Sequence, residues 1–420
     1  MLMERPDIRI ADLGEPLLTD AQRAAIAAAP PVRMEVEAVL DAARAATGLS
    51  DFGAPDFRER LAVWLQSFEE DAELGPLGRA TMFGECVRYA STRLRVEDLF
   101  RRHPEIAEVL IDHPIMVAGL PRSGTTHLLN ILAVDPRLRS TPLWETMEPI
   151  PGPDDTGDSD PRYLRTQAMW GAFEATLPLM PAMHEMAPDH VHEDIELQGP
   201  DFSSYLPEWQ SRPLRWRDYY AAHDQTPHYA YAKRVMQAIT WLKGPNRWVV
   251  KSPPHMENLP ALIAVHPGAI VPITHRDPLA VIQSAITMIA YGDRIRRTRI
   301  DLPGLAEYWI DRIEQLLRAC VRDRDVLPPE RSLDILFHDY MADQKGTVRR
   351  VYAMAELEWT PEAEARVDRF LAVNPRGKHG RVRYDLAGDF GVDIGATRER
   401  FQFYYDRFPV KRELMEGEKP

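Results

Sequence analysis

The chain has 420 residues, 45% apolar and 27% charged, which suits a soluble chain with a large buried core and argues against wholesale disorder. Its 64 Asp and Glu outnumber 51 Lys and Arg, and the formal charge of −13 excludes a nucleic-acid wrapper while leaving room for a local basic pocket around one small anion. Two cysteines, Cys86 and Cys320, exclude a disulfide framework or a cysteine-rich metal site, and 36 prolines without a period of three exclude collagen and predict many loops.

The first residues become charged at once and lack the apolar core of a signal peptide. No run of about 18 apolar residues is present to span a membrane, so the expectation is a cytoplasmic protein. Residues from about 17 to 110 read as helical: Asp20–Ala29 and Val36–Ala46 are alanine-rich, and Asp56–Glu70 places Phe57, Leu61, Val63, Trp64 and Phe68 at helical spacing, a core-packing stripe. This part carries no motif with chemistry and is expected to form a helical extension over 1–113. From Ile115 the texture changes. Short apolar runs at Ile115–Leu120, Arg247–Lys251, Ala269–His275 and Leu333–Phe337 suit strands buried on both faces. Helical stretches at Glu257–His266, Leu279–Ala290 and Gly304–Val326 separate them. Alternation of this kind predicts an α/β domain over 114–420, with a central parallel sheet covered on both faces and ligands beyond the carboxyl ends of the strands. Between the first two strands, residues from about 140 to 232 form an insertion rich in proline and aromatics, including Trp209, Trp216, Tyr219 and Tyr220. Two readings are open for it, an acceptor-binding lid or a packed structural insert.

The strongest chemical signal joins the first buried strand to a helix: Gly119-Leu-Pro-Arg-Ser-Gly-Thr-Thr. Gly124 permits close approach of backbone to a ligand. Amides at a helix N-terminus then converge on an anion, Ser123, Thr125 and Thr126 add hydroxyls, and Arg122 adds a planar cationic fork. The spacing Gly119-x4-Gly124 matches the Walker A loop, but Thr125 stands where that motif has lysine, which argues against ordinary ATP or GTP hydrolysis.

Leu120-Pro-Arg-Ser-Gly-Thr-Thr resembles the 5′-phosphosulfate loop of sulfotransferases that use 3′-phosphoadenosine 5′-phosphosulfate (PAPS). Three more stretches fit in order. Thr274-His-Arg-Asp-Pro-Leu-Ala-Val-Ile-Gln-Ser284 is similar to the 3′-phosphate segment, Trp248-Val-Val-Lys-Ser-Pro-Pro-His255 to the segment that supplies a catalytic lysine, and Leu336-Phe-His-Asp-Tyr-Met-Ala-Asp to the family's late acidic-aromatic turn. The set covers about 115 to 390 and is closest to the broad bacterial sulfotransferase group. It implies a P-loop-like three-layer fold, binding of PAPS by Arg122, Ser123, Gly124, Thr125, Thr126, Arg276 and Ser284, and charge neutralisation by Lys251. It also implies a general base. Where cytosolic animal enzymes have a histidine two residues after the lysine, this chain has Pro253; His255 stands two residues further on and ranks first, with Glu193 second and Glu185 nearby. The basic segment Asn374–Arg383 resembles the part that folds over the 3′-phosphate, so Arg376 and Lys378 are further candidates. No metal is expected, since His190, His192 and Glu193 are too close in sequence to specify a site.

The implied reaction moves a sulfuryl group from PAPS to a hydroxyl, less readily an amine, of a small-molecule, lipid or carbohydrate acceptor. Two rivals remain. Asp277, after an apolar strand, mimics the Mg²⁺-binding aspartate of a P-loop kinase, and the displaced histidine is compatible with a nucleotide-binding scaffold without chemistry.

Overall fold

The structure, a computed structural model, describes residues 7–156, 160–375, 378 and 380–416. Strands β1 (Asp7–Ile8), β2 (Ile115–Gly119), β3 (Leu138–Arg139), β4 (Arg247–Lys251), β5 (Val271–His275), β6 (Ser332–Leu336) and β7 (Arg381–Val382) form two sheets. Five of them make the central sheet in the order β3-β4-β2-β5-β6, every neighbouring pair parallel. The four expected strands are present, with ends moved by no more than two residues; β2, β4 and β5 are buried as expected, whereas β6, at the sheet edge, is only partly buried. The short strand β3 escaped the sequence reading because two residues carry no readable period.

Side chains of β2 alternate between two apolar layers, as the pleat requires. Ile115 and Val117 pack with Leu128, Leu132, Val348 and Val367 on one face. Met116 and Ala118 pack with Ile239, Leu262, Ile282 and Ile313 on the other. Helices therefore cover both faces in a three-layer α/β fold, and a sheet buried on both sides explains why its strands are continuous apolar runs.

The amino-terminal helices are α1 (Asp20–Ala27), α2 (Val36–Thr47), α3 (Phe57–Glu70) and α4 (Pro76–Arg102). A capping box between Thr19 and Gln22 starts α1, and Gly48 at φ +70° ends α2. The core runs across residue 113. Trp64 meets Trp216 of the insertion edge-on at 5.4 Å, and Leu61, Tyr89, Phe202 and Tyr220 share that cluster. Beneath it, Asp201 accepts bonds from Arg60 and Arg93, both at 2.8 Å, and pairs with His228 at 2.5 Å. Buried carboxylates persist only when paired in this way. The far amino-terminus is also tied down, since β1 pairs in parallel with β7. Among the described residues no helix is long and apolar enough to cross a membrane.

Gly119 shows how tightly β2 is set. Its φ is +147°, and a Cβ there would lie 2.1 Å from Thr274 Oγ1 and 2.9 Å from the Thr274 carbonyl oxygen on β5. Gly119→Ala is therefore expected to destabilise the protein by about 3 kcal/mol through strain and overpacking, read as a lower urea midpoint at unchanged slope.

Candidate active site

Strands β4, β2 and β5 lie side by side and end at the same edge, so the residues that follow them meet. The chain moves outward from β2 in opposite directions to reach β4 and β5, the topological switch at which such sheets open a crevice. A cavity of about 2160 Å³ opens there, lined by Arg122, Gly124, Thr125, Thr126, Lys251, Arg276 and Ser284 among others.

The loop after β2 turns sharply into helix α5 (Thr125–Ala133). Arg122 adopts a left-handed backbone at φ +64°, and Gly124, the N-cap, does so at φ +91°. The first turn of α5 leaves its amides without helical acceptors, facing the crevice with the positive end of the helix dipole. Ser123 departs from expectation. It is fully buried; its hydroxyl donates to the Leu120 carbonyl at 2.5 Å and lies 2.6 Å from Thr274 Oγ1, so it braces the loop against β5 instead of facing the cavity.

Arg122 and Arg276 interlock. Arg122 Nε donates to Ser284 Oγ at 3.0 Å, and Arg276 Nη1 donates to the Arg122 carbonyl at 2.7 Å. The Arg276 guanidinium lies 4.2 Å from the Phe337 ring centroid and grips the carboxylate of Glu413, Nε at 2.6 Å and Nη2 at 2.8 Å. Ser284 also meets the Tyr384 hydroxyl at 3.2 Å. Glu413 and Tyr384 went unnoticed in the sequence, because neither stands in a motif and both reach the site by long-range folding.

Lys251 ends β4. Its ammonium pairs with the Glu193 carboxylate, and its carbonyl accepts the Asp194 amide at 3.3 Å, which anchors the Glu193 segment beside the strand end. Both side chains line the cavity. His255 does not. It is wholly buried, its Nδ1 2.8 Å from the Tyr229 hydroxyl and its Nε2 3.1 Å from Asp194 Oδ2, beneath the helical turn Pro253–Met256. The first-ranked base candidate is thus held in the core by Tyr229 and Asp194 and does not line the cavity. His184, Glu185, His190 and His192 also line the cavity. Burial, then the positive charge of Arg122, drives the His184 imidazole down to about 3, so it is neutral at working pH. His127 contacts the Tyr340 hydroxyl at 2.7 Å, and burial lowers it as well. Lys378 reaches across to Glu185 at 2.6 Å, while Arg376 lies outside the described residues.

The other wall is apolar. Helices α6 (Leu143–Met147), α7 (Pro161–Thr176) and α8 (Met180–Met183) contribute Met147, Met169, Trp170, Phe173, Met180 and Met183. The insertion therefore divides in two. Its first half walls the cavity, whereas Trp216 and Tyr220 in its second half are buried in the helical core, and Trp209 alone of the singled-out aromatics reaches the cavity.

Asp277 does not suit a metal. It is wholly buried, and its carboxylate accepts from the Leu279 amide at 2.9 Å, the Tyr405 hydroxyl at 2.8 Å, the Glu413 amide at 2.6 Å and Arg398 at 3.3 Å. With these donors around it, no oxygen is directed at the cavity, which removes the feature that favoured a Mg²⁺-dependent kinase. Asp277→Ala is expected to cost about 3 kcal/mol in unfolding free energy, because it orphans several buried donors and uncaps the helix Pro278–Arg296.

Comparison with known proteins agrees with this geometry. A model of the sulfotransferase family matches residues 114–361. The crystal structure of sulfotransferase STF9 from Mycobacterium avium superposes with a TM-score of 0.81 at 25% identity, covering 92% of this chain and 99% of that one. Sulfotransferase STF1 from Mycobacterium tuberculosis gives 0.76 at 28%, covering 87% and 98%. Among curated proteins, the omega-hydroxy-beta-dihydromenaquinone-9 sulfotransferase Stf3 of Mycobacterium bovis is 24% identical over 258 residues, 59% of this chain and 64% of its own length. The alignment thus spans less than two thirds of that curated relative. With the family model covering more than half of its length, the chain belongs to the sulfotransferase family.

Proposed function

We propose that the protein transfers a sulfuryl group from PAPS to a hydroxyl on an apolar small molecule or lipid. The observation that carries this reading is the convergence of Arg122, Lys251, Arg276 and the α5 N-terminus on one edge of the sheet, opposite an apolar wall. The loop amides with Thr125 and Thr126 take the 5′-phosphosulfate, and Arg276 takes the 3′-phosphate, with Ser284 and Lys378 beside it. Arg122, braced by Ser284, sits between the two. Glu193 is the general base. It accepts the acceptor's hydroxyl proton as that oxygen forms its bond to sulfur. The bond from sulfur to the bridging oxygen breaks, and its electron pair leaves on the 5′-phosphate of PAP. Lys251 turns from Glu193 to the sulfuryl and bridging oxygens as charge gathers there, which frees the carboxylate for its task. Positioning and fixed charge supply the rate, and no metal is required.

The acceptor class follows from the wall. A methionine-rich surface is adaptable and apolar, and it offers few partners for a sugar's hydroxyls. The Stf3 relative is named for a hydroxylated menaquinone, consistent with a hydroxyl on an apolar body. Both cysteines are free and buried, which suits the reducing cytoplasm.

PAP is expected to raise the melting temperature by a few degrees at ~100 times its Kd, with no change on addition of a chelator. Absence of any PAP effect, or a requirement for ATP and Mg²⁺, sinks the reading. Lys251→Ala and Glu193→Gln should keep PAP affinity within a few-fold while kcat falls by roughly 10²-fold or more. His255→Ala is expected to lower stability more than turnover; a selective loss of kcat at normal stability reverses the choice of base.

A further inference from the structure

The carboxyl-terminal segment 408–416 follows the helix Gln402–Arg407 and returns over the end of β5. It is held at several points. The Glu413 amide donates to Asp277 Oδ2 at 2.6 Å, Arg398 Nη2 donates to the Glu413 carbonyl at 2.7 Å, and Met415 is buried in the core. These bonds place the Glu413 side chain in the cavity, where its carboxylate fills the Nε–Nη2 edge of Arg276. The remaining nitrogen, Nη1, is already on the Arg122 carbonyl, so no bidentate edge of Arg276 is free of a partner. Phosphate and carboxylate use the same fork geometry on arginine, and a 3′-phosphate on Arg276 must displace this carboxylate. The Arg276 side chain is 13% exposed and the Glu413 side chain 36%, so water reaches the carboxylate from its outer side and a dianion can exchange with it.

We propose that Glu413 is a built-in competitor for the donor's 3′-phosphate and thereby moderates the affinity for PAPS and PAP. This rests on the assignment of Arg276 to the 3′-phosphate. The carboxylate stands in for the phosphate while the site is empty and keeps Arg276 aimed at the crevice. PAPS expels it, and its return after reaction competes with PAP and hastens product release. A nucleotide that ends in a 3′-hydroxyl brings no charge to Arg276 and leaves the pair in place.

Calorimetric titration of the full chain with PAP and with adenosine 5′-phosphate, on wild type, Glu413→Gln and Glu413→Ala, tests this. Both variants are expected to bind PAP roughly tenfold more tightly, the order of one charge-assisted bidentate pair, with adenosine 5′-phosphate changed by less than about twofold. Hydrogen exchange on the wild type needs no variant: amides of 410–416 should exchange faster with PAP bound and at an unchanged rate with adenosine 5′-phosphate. Unchanged or weaker PAP binding in both variants, or slower exchange of the tail with PAP, overturns the proposal while leaving the donor assignment standing. A wild type that binds PAP no better than adenosine 5′-phosphate, with no loss of PAP affinity on Arg276→Ala and no gain on the Glu413 substitutions, overturns the donor assignment itself.

Discussion

Three cationic side chains, Arg122, Lys251 and Arg276, are carried to one edge of a parallel sheet because β4, β2 and β5 are neighbours and end together. Like charges brought this close and partly out of water repel one another and lose hydration, so each needs a partner even before a ligand arrives. The protein supplies them internally. Glu193 stands on Lys251, Glu413 on Arg276, and Arg122 is braced by the Ser284 hydroxyl. The crevice of this acidic protein is therefore neutralised from within by carboxylates, and in the proposed donor complex a stronger anion replaces them. The formal charge of −13 describes the surface around the crevice.

The same need for pairing governs the rest of the molecule. Asp201 joins α3, α4 and the helix Thr226–Lys243 through Arg60, Arg93 and His228. Glu208 and Glu257 share Arg312, which is itself almost wholly buried, so the insertion is locked to the helix Leu302–Asp323. At the cavity rim, burial raises Glu196, but Arg88 and His192 outweigh it and hold that carboxylate down at about 2. Removing one member of such a buried pair strands the other, which makes the insertion rigid where it meets the helical core. The methionine-rich half is tied as well, by Arg162 to Asp160 and by Lys243 to Glu145, but the side chains it turns to the cavity include flexible thioethers that can shape themselves to an apolar guest.

The sheet and the strand–loop–helix turn after β2 were legible because their signals are local. A five-residue apolar run buried on both faces reads as a strand wherever it occurs, and Gly-x4-Gly between strand and helix announces its backbone geometry. Arg276 was legible for the same reason, as a cation at a strand end followed by the cap Asp277. Long-range partners were not. Nothing around Glu413 signals a ligand-like role, because its place depends on Asp277 and Arg398 catching its backbone. Ser123 and His255 show the reverse limit. Their residue types suited the chemistry, but the direction of a side chain is set by packing: Thr274 draws the hydroxyl inward, and Asp194 and Tyr229 hold the imidazole in the core.

That reversal bears on why a carboxylate suits the base role here better than a histidine. Among the histidines that line the crevice, His184 is lowered to about 3, first by burial and then by Arg122. Once such a histidine took an acceptor's proton it would become a cation among cations, at the moment when the same cations are needed by the departing phosphate. A carboxylate gives the opposite balance. In the proposed mechanism Glu193 becomes neutral when it takes the proton, and Lys251, its partner in the structure, is left with its charge undivided for the oxygens that gain electrons. Proton removal and charge stabilisation then draw on one ion pair in sequence, and backbone hydrogen bonds secure it, the Asp194 amide to the Lys251 carbonyl and the His192 amide to the Thr141 carbonyl, which hold the Glu193 segment at the strand end.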